Sequence, residues 1–199
     1  MGVSCSASSC TASSPAGSGT VNVTVTTTGG TSPVVTADQF TYQASSGSTN
    51  LVPDPSFETS WIPTDVWGSQ LSRTQTVVRS GSWALAQTAT STNGGWELDL
   101  NSSWYAPVKA GSSYAAGIWV RATAALRVEL NLDLLDVSGA YVDSASGPWV
   151  TLAANTWTHL TLSGIQPNAQ EPYAVIEPDF SRAVTGTLMY WDDMTLTAN

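Results

Sequence analysis

The chain has 199 residues, a formal net charge of −9 and a pI near 4.1, with 42% hydrophobic and only 11% charged residues. Lys and Arg together number six, which leaves no basic stripe and argues against nucleic acid, anionic membranes and polyanionic polysaccharides as partners. No apolar run reaches the length of a membrane span, and one histidine beside nine tryptophans offers little acid–base chemistry and many flat rings.

This length allows one sandwich domain with a smaller piece attached. Helical periodicity is nearly absent. Short alternating runs of Val, Thr, Trp and Tyr recur between Gly, Asn, Ser and Pro, the pattern of strands and turns. The opening Met1-Gly2-Val3-Ser4 has neither the basic nor the apolar region of a signal peptide. The residues after it read as the inside of a folded domain, so a truncated start is expected and secretion is inferred from composition. Cys5 and Cys10 form either a local disulfide in an oxidising compartment or a free pair. Val21–Thr26 alternates strictly, Gly29-Gly30-Thr31-Ser32 is a turn and Gln39–Tyr42 is a closing strand. Residues 1–43 are thus one block, 44–49 a polar linker and 50–199 a second block.

Seven strands are expected in the second block, in an antiparallel β-sandwich of jelly-roll type. Trp83–Gln87 comes first. In Trp96–Leu100, Trp96 shares parity with Leu98 and Leu100 and reads as core. In Tyr114–Arg121, Ile118 and Val120 face inward, which turns Trp119 and Arg121 outward beside small Ala115 and Gly117. In Leu126–Leu135 every even position is aliphatic, and the odd row Arg127, Glu129, Asn131, Asp133 is a line of groups able to hydrogen-bond hydroxyls. Thr156–Leu162 holds the lone His159, expected as a surface or strand-pairing residue. Tyr173–Glu177 turns Tyr173, Val175 and Glu177 away from Ala174 and Ile176. In Leu188–Thr197, parity puts Leu188, Tyr190, Asp192, Met194 and Leu196 on the core face. Trp61, Trp67, Trp104, Tyr105 and Trp149 fall in expected loops or strand ends, with Trp67 and Trp104 the candidates for a groove rim.

Two resemblances follow from motif order. Pro15-Ala16-Gly17-Ser18-Gly19-Thr20-Val21-Asn22-Val23-Thr24-Val25 with the terminal Asp38-Gln39-Phe40-Thr41-Tyr42 resembles the C-terminal half of an IPT/TIG immunoglobulin-like domain, which implies a spacer. In the second block the order is Asn50-Leu51-Val52-Pro53-Asp54-Pro55-Ser56-Phe57-Glu58, Arg79-Ser80-Gly81-Ser82-Trp83-Ala84-Leu85, Val108-Lys109-Ala110-Gly111-Ser112-Ser113-Tyr114, Asn155-Thr156-Trp157-Thr158 and Tyr190-Trp191-Asp192-Asp193-Met194-Thr195-Leu196. This order resembles the β-jelly-roll carbohydrate-binding modules of the family 4, 9, 16 and 22 kind. Asp54 departs from the Asn that such modules often carry.

That resemblance implies non-catalytic binding of a neutral polysaccharide, of β-glucan or xylan type, in a concave groove. The module would be secreted, bacterial and monomeric, once fused to an upstream catalytic domain that it targets to substrate. Trp119 would stack on sugar; Arg121, Arg127, Glu129, Asn131, Asp133, Tyr173 and Glu177 would line the groove, with Trp67 and Trp104 at its rim. It also implies a structural calcium between the first and last strands, held by Glu58, Asp192 or Asp193 and carbonyls near Ser80 and Gly81, six to eight oxygens being what calcium takes. A surface acidic pair without metal is the alternative there. Two other functions stay open. A jelly-roll glycoside hydrolase would draw a carboxylate pair from Glu97, Glu129, Asp133 and Glu177, although Glu129-x-x-x-Asp133 departs from the Glu-x-Asp-x-(x)-Glu cluster of jelly-roll glucanases. A structural or adhesive module would have no sugar site.

Overall fold

Strands supply nearly all the regular structure, as the alternating pattern demands. A computed structural model describes residues 3–6, 9–12, 19–42, 49–60, 62–98 and 105–199. The chain divides into two units, Met1–Ser48 and Thr49–Asn199; most of the linker 44–49 lies outside the described residues.

In the first unit, β1 (Val3–Cys5) pairs with β2 (Cys10–Ala12), β3 (Gly19–Asn22) with β6 (Gln39–Tyr42), and β4 (Thr26–Thr27) with β5 (Gly30–Thr31), all antiparallel. Cys5 and Cys10 are direct cross-strand partners along the backbone; their side chains lie outside the described set. Val21, Val23, Val25, Val34, Val35 and Phe40 are all exposed, so the described part of this unit has no core of its own.

The second unit is an antiparallel sandwich. Its strands are β7 (Asp65–Trp67), β8 (Ser69–Thr74), β9 (Ala84–Ala89), β10 (Asn93–Glu97), β11 (Ala106–Pro107), β12 (Tyr114–Ala122), β13 (Arg127–Leu135), β14 (Tyr141–Ser146), β15 (Val150–Thr151), β16 (Thr158–Ile165), β17 (Tyr173–Ser181) and β18 (Leu188–Ala198). Among the described residues the larger sheet runs β14-β13-β17-β10-β7, with β15 on β13 and β11 on β17; the smaller runs β16-β12-β18-β9-β8. Between them lie Trp96, Leu130, Leu132, Ile176 and Phe180 from the larger sheet, against Leu85, Ile118, Val120, Trp191 and Leu196 from the smaller. Trp96 meets Phe57 and Trp191 edge-on, at 6.0 and 5.9 Å between ring centroids, pairs worth about 0.5–1.5 kcal/mol each beyond their area. The polar end of Trp191 is satisfied inside: its Nε1 donates to Gln87 Oε1 at 2.8 Å, and Gln87 Nε2 donates to Ser69 Oγ at 2.8 Å.

The opening motif works as a joint. Asn50 Nδ2 donates to the Met194 carbonyl, and its Oδ1 accepts from the backbone of Val52 and Leu196, tying the chain start to β18. Asp54 accepts from the Glu58 and Thr59 amides and the Thr59 hydroxyl, so the departure from Asn is accommodated by three donors.

Two expectations are corrected here. The strands β12 and β13 stand in opposite sheets, so Trp119 and Arg121 do not share a face with Arg127–Asp133. And β18 does not keep one parity. Opposite Gly117–Trp119 it carries one extra residue, a β-bulge at Asp193, whose φ is 50°. Met189 and Trp191 point to the core before it, Met194 and Leu196 after it, because one inserted residue flips every side chain beyond. Asp192 is fully buried, as expected, but for another reason: the Arg79-Ser80 loop covers it.

Candidate functional site

The outer face of the larger sheet collects six carboxyl groups on four adjacent strands. From β13 come Glu129 and Asp133, with Asn131 between them; from β17 come Glu177 and Asp179; from β10 Glu97; from β7 Asp65. The registers set them side by side: Asn131 opposite Glu177, Glu129 opposite Asp179, Glu97 opposite Asp65. Oxygens of Glu97, Asp133 and Glu177 all lie within 4.8 Å of one another, and Asn131 Nδ2 donates to Asp179 Oδ2 at 3.1 Å.

Crowding acids on a half-buried face makes ionisation costly. Burial, then the hydrogen bond and charge of Asp133, push Glu177 up to about 8, with Asp65 and Glu129 adding to the rise. Burial and the charges of Glu177 and Glu129 push Asp179 up to about 7, against the Asn131 amide, which lowers it. Asp133 is raised by burial first and by Glu97 and Asp179, against its hydrogen bond with Glu177. Glu129 is raised by burial, against the charge of Arg127. Near neutral pH the row therefore mixes carboxyl groups that donate with carboxylates that accept.

Aromatic rings flank the row at both ends. Trp67 is 39% exposed and lies over Gly95: a Cβ on Gly95 would stand 2.5 Å from the indole and 2.3 Å from Asp179 Oδ1, so only glycine lets the ring approach. Trp67, Trp149, Asn93 and Asp179 border a recess of about 330 Å³, and the Arg127 guanidinium stands 5.5 Å from the Trp149 ring. At the other end Tyr105 and Tyr173 lie 5.7 Å apart at a tilt of 43°.

Of the expected groove residues, Arg127, Glu129, Asn131, Asp133, Tyr173, Glu177 and Trp67 thus gather on one face. Trp119 and Arg121 stand on the outer side of the smaller sheet. There His159 stacks on Trp119 from β16, 4.6 Å away and within 10° of parallel, while Arg79 covers the ring from the β18 side at 3.8 Å. Burial, then the charge of Arg79, lowers His159, which favours the neutral ring in that stack. Both faces of Trp119 are taken, so it offers no platform for a sugar. Arg121 donates to the Asn155 carbonyl at 3.0 Å. Trp104 and Trp61 lie outside the described residues. Asp65 and Asp179 were missing from the expected groove; Glu97 was expected there only as a carboxylate of the hydrolase alternative, and Trp149 only as a loop aromatic. Glu97 was legible from parity, opposite to Trp96 and Leu98. Asp179 was hidden by Pro178, which normally ends a strand, whereas β17 runs through it to Ser181.

Glu58, Ser80, Gly81, Asp192 and Asp193 do meet at one corner, but as a lattice of acceptors already matched to donors. Asp192 takes the backbone N–H groups of Arg79, Ser80 and Asp193. Asp193 takes the Arg79 guanidinium and the hydroxyls of Ser56 and Ser80. Glu58 Oε1 takes the amides of Ser82 and Trp83 and packs on Gly81, where a Cβ would stand 2.2 Å from it. Desolvation raises Asp192, the backbone donors only partly offsetting it; against desolvation, Ser80, Ser56 and Arg79 hold Asp193 below the usual carboxylate range. With N–H groups, hydroxyls and a guanidinium already donating to these carboxylates, the corner fits calcium poorly.

No protein-family model and no curated protein sequence matches the chain. Solved structures do share its fold. The CBM22-1 xylan-binding domain of Paenibacillus barcinonensis Xyn10C aligns with a TM-score of 0.55 at 15% identity, over 78% of this chain and 97% of that one. TmCBM61 in complex with β-1,4-galactotriose aligns at 0.52 and 16% identity, over 76% and 100%. The enzymatically active domain of bacteriophage CBA120 tailspike protein 4 aligns at 0.56 and 14% identity, over 75% of this chain but only 21% of that one. At such identities the likeness is one of fold: an all-β antiparallel jelly roll.

Proposed function

We propose that the Thr49–Asn199 unit is a non-catalytic carbohydrate-binding module that takes a neutral polysaccharide, of β-glucan or xylan type, across the outer face of its larger sheet. The observation that carries this reading is the Trp67 ring, exposed and laid over Gly95, beside a row of carboxyl and amide groups. An apolar plate next to groups that both donate and accept is what a pyranose ring with its hydroxyls requires. The acidic face repels uronates and admits uncharged chains. The fold it shares with xylan- and galactotriose-binding modules supports the same reading.

Hydrolysis suits this geometry less well. Retaining glycosidases hold their two carboxyls about 5–5.5 Å apart and inverting ones about 6.5–9.5 Å. Asp133 and Glu177 hydrogen-bond each other and leave no room for a glycosidic bond between them. The module serves a secreted bacterial enzyme by raising its local substrate concentration, the first unit acting as an IPT/TIG-like spacer. Native electrophoresis in gels containing xylan, β-glucan, galactan or a uronate polymer tests this. Retardation by a neutral polymer and not by the uronate is expected. Free migration in every gel would favour a structural module, and a cleared zone would show a hydrolase.

A further inference from the structure

The oxygens of Glu97, Asp133 and Glu177 converge from β10, β13 and β17 to within 4.8 Å of one another. A second feature points at the same spot. Asn131 is only 7% exposed, although its row faces outward, and its Oδ1 is buried without a hydrogen-bond partner. Its Nδ2 is turned to Asp179, which lies on the Glu129 side. Asn131 stands directly across from Glu177 and two residues along the strand from Asp133, so its unpartnered oxygen lies in the same row as the three carboxyl groups. A buried acceptor left without a donor calls for a partner, and such an acceptor in the row of three converging carboxyl groups calls for a cation. Around them, Asp65, Glu129 and Asp179 are also acidic, and Arg127 stands at the far end against Trp149.

We propose that Glu97, Asp133, Glu177 and the Asn131 amide oxygen form a calcium site on the outer face of the larger sheet. The donors are all oxygen, with no histidine or cysteine, which selects a hard cation over zinc or copper. Several carboxylates able to bind through one or both oxygens suit the six to eight ligands of calcium better than the rigid octahedron of magnesium. The corner between the first and last strands is closed by its own donors. The calcium thus belongs at a different place in the fold from the one motif order implies, and the proposal stands whether or not the face takes sugar.

The test is calorimetric titration of the full chain, stripped with EDTA, with calcium chloride, paired with thermal melts. Wild type is expected to bind one calcium and to melt higher with it. Asp133→Asn and Glu177→Gln are expected to lose the binding, and Asn131→Leu to weaken it at least tenfold, each with an unchanged circular dichroism spectrum. Glu58→Gln and Asp193→Asn are expected to keep it. Absence of calcium binding at millimolar concentration would overturn the proposal. So would binding that survives Asp133→Asn and Glu177→Gln, or binding lost in Asp193→Asn alone.

Discussion

Replacing Trp67 by Ala separates the two faces of the sandwich. Trp67 is 39% exposed, which for a side chain of about 250 Å² leaves about 100 Å² of indole in water. Covering most of that area with a sugar ring, at about 25 cal/mol per Å², gains about 2 kcal/mol. Trp67→Ala should therefore weaken binding about 30-fold, read by titration calorimetry with whichever polysaccharide retards the wild type. Trp119→Ala is the matched control. Its ring already carries His159 on one side and Arg79 on the other, so its loss should leave affinity within a factor of two or so. The cost falls on stability instead: a cation–π contact is worth about 0.5–2 kcal/mol, and each kcal/mol moves the Tm of a domain this size by about 2–4 °C. If Trp119→Ala abolished binding while Trp67→Ala kept it, the site would lie on the smaller sheet and the reasoning from Gly95 and the acidic row would fail.

Gly95→Ala should act like a weaker Trp67→Ala, because the new methyl displaces the indole and Asp179; unchanged affinity in titrations with the variant would show that the ring does not need its place over the strand. The pH dependence of stability, measured by calorimetric melts in EDTA, should run opposite to that of most proteins. Glu177 at about 8 and Asp179 at about 7 lie above their ordinary values of 4.5 and 3.8, so the folded state holds protons that the unfolded chain has released. Stability from these groups is complete below about pH 4, and falls as pH rises through 7 and 8. Glu177 is faced by Asp133 and Glu129 from β13 and Asp65 from β7, all of one sign. A Tm that climbs between pH 5 and 8 would contradict this, and Glu177→Gln should flatten the slope.

Much of this architecture was legible in the chain because period-two alternation is a local property. Leu126–Leu135 announced both its strand and its outward row, and the structure keeps Arg127, Glu129, Asn131 and Asp133 on one side. Which strands lie beside that row was not legible. The strand β12 precedes β13 in sequence, and the short link between them invites pairing, yet the chain crosses to the other sheet there. Sheet membership depends on the long-range ladder of β13 with β17, some 45 residues further on, and nothing local encodes it. The short strand β7 was equally hidden: three residues, Asp65-Val66-Trp67, carry too little alternation to be seen, although they bring Trp67 to the site.

The bulge at Asp193 shows the same limit at smaller scale, and it bears on where a cation can sit. Read as unbroken, β18 aims Asp192 into the core, where an unpaired carboxylate would be costly and a metal would relieve it. With the extra residue, Asp192 turns outward beneath the Arg79-Ser80 loop, where three backbone N–H groups donate to it. The cost that called for an ion is partly offset by N–H groups already in the chain. On the outer face of the larger sheet the balance is reversed. Asp133 is 8% exposed, its described neighbours Glu177, Glu97 and Asp179 are acids, and the nearby Asn131 oxygen has no donor. Motif order pointed to the corner where the first and last strands of the sandwich join. The distribution of hydrogen-bond donors decides which acidic cluster in this chain is left needing a cation, and by that measure it is the one on β10, β13 and β17.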